Sequence, residues 1–289
     1  MGVYIPRQLD VFYISYDEPN RQSNWRRVRE MIPHAREVHG IKGFEAAHKA
    51  CADASGTDRF MTIDGDNWLL DGAFDVKLDD TGMDDVVFSF KSRNAVNGLE
   101  YGNGGLKCWR KDVLLSSSTH ESSDSTDFCW ELRYYQVDTL GSISVNNATP
   151  YQAWRAGYRE GVKMSYIDGN PLEDFTAQWR SIYRGNLSRL MVWCAVGRDA
   201  PNGIWSMLGA RQGLCDLISG KINNTDINDY AWFAGRWPDV EKHDPDSNAR
   251  YYGAKLSGDH DFSFPELDAD ASSWFKLIYM NPARHGLMR

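Results

Sequence analysis

Apolar and polar positions fall into short blocks along the first third of the chain, with turn chemistry between them. LDVFYISY, Leu9 to Tyr16, is rich in β-branched and aromatic residues and predicts a strand. DEPN, Asp17 to Asn20, ends it. SNWRRVREMI, Ser23 to Ile32, predicts a short helix capped by Ser23 or Asn24. AREVHG, Ala35 to Gly40, is a second, shorter strand, and the alanine-rich GFEAAHKACADA, Gly43 to Ala54, a second helix. RFMTI, Arg59 to Ile63, and DDVVFSFK, Asp84 to Lys91, read as further strands. This alternation predicts an α/β fold with a parallel sheet whose ligands gather at the carboxyl ends of the strands.

Past residue 145 the pattern turns helical. TPYQAWRAGYREGVKM, Thr149 to Met164, predicts a helix with Thr149 as cap and proline at its first position. Leu172 to Tyr183 and Trp205 to Ile218 read as helices, the latter interrupted by Gly209 and Gly213. The polar stretch from Asp239 to Asp261 reads as loop, and SSSTHESSDS, Ser116 to Ser125, as a lid-like loop. The expected division is a nucleotide-binding core over 1–145 and a mainly helical region over 146–289 that completes the acceptor side.

Composition narrows the classes. The net charge of −8 argues against a surface coated for nonspecific nucleic-acid binding. The five cysteines stand at least 21 residues apart, so no metal-knuckle spacing exists, and they read as reduced thiols. No apolar run approaches the roughly 18 residues of a membrane span, and no signal-peptide core is present. The expectation is a soluble cytoplasmic protein with no membrane partner. The 11 tryptophans read first as packing residues, and several together also suit stacking on a sugar or a base.

FMTIDGDNWLL, Phe60 to Leu70, carries the chemistry. Asp64 and Asp66 lie i, i+2 after a greasy strand, so both carboxylates leave one side of an extended backbone. Like charges that close repel unless a cation sits between them. Mg²⁺ or Mn²⁺ suits such a pair and usually borrows further ligands from substrate phosphates. A plain Asx-type turn is the competing reading. An EF-hand loop from Asp64 fails, because Leu69 and Asp75 stand where Gly and Glu are needed. Walker, HExxH, dinucleotide and G-x-S-x-G patterns are absent. Arg155, Arg159 and Lys163 recur at i, i+4, i+8 along one helix face, which suits either a phosphate backbone or plain solvation.

IKGFEAAHKACADASGTDRFMTIDGDNWL resembles the segment of GT-A glycosyltransferases of the family-2 type in which a helix leads to a strand ending in DxD. FYISYDEP, PHAREVHGIKG, AAHKA and SRNAVNGLEYGNGGLKCW resemble a group of glycosyltransferase-like proteins of tailed bacteriophages, and weaker similarity runs on to about residue 233. The resemblance implies a GT-A sheet that binds a nucleotide-diphosphate sugar, a UDP-sugar first, with Mn²⁺ or Mg²⁺. It assigns the metal to Asp64 and Asp66, with His243 or His260 as a late ligand. It assigns the nucleotide sugar to Tyr16, Asp17, Glu18, Lys49 and Asp64, and to Asn97, Tyr101 and Gly104 of the loop Arg93 to Gly105. Arg211, between two glycines, joins these as an anion contact. The general base falls on Asp127, with Asp124, Glu131 and Glu100 as rivals, although the usual Glu-Asp pair is replaced by Thr126-Asp127. The implied acceptor is a 5-hydroxymethylpyrimidine in phage double-stranded DNA within the infected cell, bound by Arg155, Arg159 and Lys163. Transfer to protein, polysaccharide or a small metabolite, nucleotidyl transfer, and a non-catalytic GT-A-like binding or virion protein are the alternatives.

Overall fold

The computed structural model describes residues 2–102, 104–118, 132–167 and 169–279. The chain divides into two compact units, Met1–Asn94 with Glu100–Val145, and Ala95–Leu99 with Asn146–Arg289. The short stretch 95–99, which the sequence reading left in the first part, thus belongs with the second.

The first unit is an α/β unit. Its elements are β1 (Val3–Tyr4), β2 (Asp10–Ser15), α1 (Arg21–Met31), β3 (Arg36–His39), α2 (Phe44–Ala54), β4 (Arg59–Asp64), β5 (Asn67–Leu69), β6 (Leu78–Asp79), β7 (Val87–Asn94), β8 (Glu100–Tyr101), β9 (Lys107–Arg110), α3 (Lys111–Ser116) and β10 (Tyr134–Ser144). The main sheet runs β3-β2-β4-β9-β7-β10-β5, with β8 beside β7, and β1 pairs separately with β6. The sheet is mixed where a parallel one was expected. β2, β3 and β4 are mutually parallel, as are β7 and β10, whereas β9 lies antiparallel between β4 and β7, and β5 runs antiparallel to β10. After β7 the chain turns back through β8, which pairs antiparallel with β7, and β9 runs antiparallel to β7 as well.

Both faces of the sheet are apolar, because alternate residues of each strand serve different cores. Val11, Tyr13, Met61, Ile63, Phe88 and Phe90 join Val28 and Ile32 of and after α1. Phe12, Phe60, Val87 and Trp109 face the other way, against Cys51 and Ala52 of α2 and Leu114 of α3. α1 begins at Arg21, earlier than the expected Ser23 or Asn24 cap. Neither side chain is free for capping, since Ser23 Oγ donates to the Asn20 carbonyl and Asn24 Nδ2 to the Gly65 carbonyl. A fully buried ion pair ties the small β1–β6 sheet to the main one: Arg59 Nε lies 3.2 Å from Asp80 Oδ2. Arg59 also donates to the carbonyls of Met83, Asp84 and Val86, and Asp80 Oδ1 accepts from Gly2 N.

The second unit is helical: α4 (Pro150–Lys163), α5 (Phe175–Gln178), α6 (Arg184–Ala195), α7 (Gly203–Ile218), α8 (Tyr230–Val240), α9 (Pro245–His260) and α10 (Ala269–Tyr279). Thr149 caps α4 by accepting from Gln152 N, with Pro150 at the first turn. The glycines of α7 do not interrupt it. A Cβ at Gly209 would fall 2.1 Å from the Trp154 carbonyl oxygen, and one at Gly157 of α4 would fall 1.9 Å from that of Ser206. The two helices therefore cross backbone against backbone. Two expectations fail here. Leu172 to Tyr183 holds only the short α5 and a 3-10 turn at Trp179–Ser181. Asp239 to Asp261 holds α9 instead of loop, capped by Asp244 accepting from Ser247 N and buried only through Ala249, Gly253 and Leu256.

Asp80→Ala leaves a buried guanidinium without its partner, so chemical denaturation is expected to show a loss of about 3–5 kcal/mol. Gly157→Ala forces α4 and α7 apart and is expected to cost about 1–3 kcal/mol; an unchanged denaturation midpoint would contradict the close crossing.

Candidate functional site

β2, β3, β4, β7 and β10 share one direction, so Ser15, His39, Asp64, Asn94 and Ser144 end on one edge of the first unit's sheet. The DGD turn is the most constrained point of that edge. Gly65 O accepts from Tyr13 Oη at 2.7 Å and from Asn24 Nδ2 at 2.9 Å, both buried bonds. Asp64 N donates to Gly105 O at 3.1 Å, and Val145 N donates to Asp66 O at 2.8 Å. Four separate segments thereby hold a two-residue turn.

The side chains around it are ionisable and close. Glu18 lies over Gly65, where a Cβ would fall 2.6 Å from Glu18 Oε2, and that oxygen accepts from Tyr16 N at 2.8 Å. Burial raises the Glu18 carboxyl above its ordinary range, and the charges of Asp66 and Asp17 add to this, offset in part by backbone N–H bonds. Burial, with the charges of Glu18 and Asp66, also pushes the Tyr13 phenol up. Asp64 sits against Gly105, where a Cβ would fall 2.2 Å from its own Cβ. Lys107 Nζ lies 4.0 Å from Asp64 Oδ2 and donates to the Gly104 carbonyl at 3.1 Å, with only 6% of its side chain exposed. His48 is buried beside it. Burial and the Lys107 charge bring the imidazole down to about 3 against the bond from Nδ1 to Phe44 O, so it is neutral and Lys107 is the cation.

Asp66 Oδ1 accepts from Asn67 Nδ2 at 2.7 Å, and Asn67 Oδ1 accepts from Ser142 Oγ at 2.7 Å. The arrangement offers two carboxylates, Asp66 and Glu18, beside a third, Asp64, that is backed by a buried ammonium. Among the described residues no three His, Cys, Asp or Glu side chains form a ready-made cation cage. A hard divalent ion at this turn would complete its shell from phosphate oxygens and water, and the all-oxygen donor set fits that demand.

The other predicted residues scatter. Tyr16 and Asp17 are exposed in the loop after β2, on the same edge. Lys49, the expected diphosphate contact, pairs with Glu45 at 2.7 Å, one helical turn away on α2. Glu100 is not poised as a base, because its carboxylate is held by Arg93 across β7 and β8 at 2.5 Å. Tyr101 is buried in β8, and Gly104 lies where a Cβ would meet Ser92 Cβ at 2.3 Å. Asp124, Asp127 and Glu131 lie outside the described residues.

Asn97, Arg211, His243, His260 and the cationic face belong to the second unit. Asn97 is buried, its Oδ1 accepting from Leu99 N. Arg211 is not an anion contact: its fully buried guanidinium donates to the carbonyls of Cys194 and Ala249 and to Glu266 Oε1, joining α6, α7 and α9. His243 is exposed between α8 and α9, and His260 Nδ1 lies 2.8 Å from Thr176 Oγ1. The face of Arg155, Arg159 and Lys163 is largely engaged within its own unit. Arg155 stacks on the rings of Tyr151 and Tyr230, and Arg159 donates to Ile227 O and Tyr230 Oη, while Lys163 is half-buried in the last turn. The tryptophans mostly pack: Trp109, Trp154 and Trp193 are fully buried. Cys51, Cys108, Cys194 and Cys215 are free and buried.

Sequence reasoning missed Lys107, Asn67, Tyr13 and Asn24. One signal was available: Lys107 stands inside the apolar run Leu106-Lys107-Cys108-Trp109, where a lysine needs a reason to be buried. Comparison with known proteins adds nothing further: no family model matches the chain, and no curated protein matches it. Among the described residues no helix is long and apolar enough to cross a membrane.

Glu18 has a raised carboxyl pKa, so its ionisation opposes folding above that value and is without cost below the unfolded one. Glu18→Gln is therefore expected to melt at a higher temperature than wild type at pH 7, with the gain vanishing as the pH falls below about 4. Thermal melts across pH check this; equal melting temperatures at neutral pH would contradict the crowding of charge at the turn.

Proposed function

We propose that the chain is a metal-dependent glycosyltransferase of GT-A type, which moves a sugar from a nucleotide-diphosphate donor to an acceptor hydroxyl. The observation that carries the reading is the turn at Gly65: Asp66 and Glu18 crowd together at the carboxyl ends of β4 and β2, and Lys107 neutralises Asp64 from behind. The resemblance of the DGD and AVNGLEYGNGG blocks to phage glycosyltransferase-like proteins supports it.

A bound Mg²⁺ or Mn²⁺ would supply Lewis-acid neutralisation of the departing diphosphate. The roles of the chain's own residues follow from their placement. Asp66, with Glu18, would hold the cation. Tyr13 and Asn24 keep the Gly65 turn rigid, so its charges need no reorganisation when the diphosphate leaves. Lys107, 4.0 Å from the Asp64 carboxylate, balances its charge. Tyr16 and Asp17 are on the same edge, where the base or ribose of the donor would lie. In the step itself, the acceptor oxygen bonds to the anomeric carbon, the carbon–diphosphate oxygen bond breaks, and the diphosphate leaves with the electron pair. The acceptor proton passes to a general base, for which Asp127 and Asp124 are the candidates by resemblance. The UDP-sugar donor and the hydroxymethylpyrimidine acceptor rest on that resemblance alone, since the cationic face that would have served DNA is bound up in its own unit.

A panel of nucleotide sugars with Mn²⁺, scored for free nucleoside diphosphate, tests the reading. Wild type is expected to release diphosphate from one donor, with release falling about 100-fold or more in Asp66→Ala. Acceleration by hydroxymethylated duplex would identify the acceptor, and indifference to it would move the search to protein, polysaccharide or metabolite hydroxyls. No release from any donor, together with no Mn²⁺-dependent nucleotide binding by calorimetry, would refute transferase chemistry.

A further inference from the structure

We infer that Asn67 is a positioning residue for Asp66, and that the chain of buried hydroxyls behind it, Ser142, Ser92 and Ser144, holds its amide in place. The inference rests on the metal-binding role proposed for Asp66.

The register of three strands makes the chain possible. Ser144 of β10 stands opposite Asn67 of β5, and Ser142 stands opposite Ser92 of β7. Irregular pairing of β10 with β7 between Val137 and Ser142 shifts the strand just before these serines. All four residues are at most 3% exposed. Asn67 Nδ2 lies 2.7 Å from Asp66 Oδ1, and Asn67 Oδ1 lies 2.7 Å from Ser142 Oγ. Ser142 Oγ is 3.1 Å from Ser92 Oγ, and Ser92 Oγ is 2.7 Å from Ser144 Oγ.

Donor and acceptor chemistry fixes the direction. An ionised carboxylate only accepts, so the amide group facing Asp66 must be the NH₂. The Asn67 oxygen therefore faces Ser142, and a carbonyl also only accepts, so the single Ser142 proton points at Asn67. Ser142 then offers Ser92 only lone pairs. The Ser92 proton goes to the Ser142 hydroxyl or carbonyl oxygen, both at 3.1 Å, and Ser144 Oγ, 2.7 Å from Ser92 Oγ, also lies 3.5 Å from Asn67 Oδ1. Ser142 donates toward the carboxylate through Asn67, and Ser92 and Ser144 hold Ser142 from behind. Aligned donors polarise one another, so each bond strengthens the next. Gly104 packs over the middle of the chain, where a Cβ would lie 2.3 Å from Ser92 Cβ and 3.2 Å from Ser142 Oγ. An amide flipped by half a turn would put its oxygen against Asp66, and the carboxylate, which only accepts, forbids that flip.

Partners of metal-binding carboxylates hold them in the binding geometry, and removing such a partner costs about 10–100-fold in metal affinity. The test uses two readouts on the full chain: Mn²⁺ affinity by electron paramagnetic resonance, and the Asn67 side-chain NH₂ signal in ¹⁵N-labelled protein, assigned by its loss in Asn67→Asp. Asn67→Ala is expected to bind Mn²⁺ about 10–100-fold more weakly than wild type. Ser142→Ala is expected to weaken it less, while shifting the Asn67 NH₂ signal, as Asp66→Ala also should. A Mn²⁺ affinity unchanged in Asn67→Ala would overturn the positioning role. An NH₂ signal indifferent to Ser142→Ala would overturn the chain. If wild type itself bound no Mn²⁺ while the NH₂ signal still answered to Ser142→Ala and Asp66→Ala, the chain would stand and the metal role of Asp66 would fall. A melting temperature in each variant near that of wild type separates these effects from unfolding.

Discussion

The carbonyl oxygen of Gly65 is the point on which the site depends. Two buried donors converge on it, Tyr13 Oη from β2 and Asn24 Nδ2 from α1. A carbonyl satisfied on both lone pairs by the core cannot drift, and the carboxylates on either side of it inherit that rigidity. β2, α1 and the DGD turn are therefore one mechanical element. This explains why an asparagine expected to cap α1 is instead spent inside the fold.

Charge at the turn follows from the same constraint. Three carboxylates, Asp64, Asp66 and Glu18, are brought to one edge, and the protein answers them unequally. Asp64 has the buried Lys107 ammonium behind it, and Asp66 has the Asn67 amide. Glu18 is left with a raised pKa, through its burial and through Asp66. Such crowding opposes folding of the unliganded chain and favours a cation, which is the energetic logic of the proposed function. The His48 imidazole beside Lys107 is neutral, because its burial and the Lys107 charge both disfavour a second cation there.

Much of this edge was legible. YDEPN and DGDNW both follow strands of strong β character, and parallel strands must end on the same side, so Glu18 and Asp66 belonged together before any coordinates. The cap of α4 was equally plain in Thr149-Pro150. Other features were hidden for physical reasons. β5 and β9 are three and four residues long, too short to show a period, so the antiparallel insertions went unseen. α9 buries only Ala249, Gly253 and Leu256, and small residues leave no apolar stripe to read. Arg211 between glycines suggested an anion contact, but Gly209 and Gly213 mark a helix crossing so close that the arginine is carried into the interior. The helical cations show another limit: spacing cannot report that Tyr230 stacks under Arg155 and accepts from Arg159.

The central claim is that the Gly65 turn is a divalent-cation site that works together with a diphosphate. Anomalous diffraction at the manganese edge, from crystals grown with Mn²⁺ and UDP, tests it most directly. The account predicts a manganese peak against the Asp66 carboxylate, bridged to diphosphate oxygens. Bound nucleotide without manganese at Asp66, or manganese bound elsewhere on the chain, would contradict it.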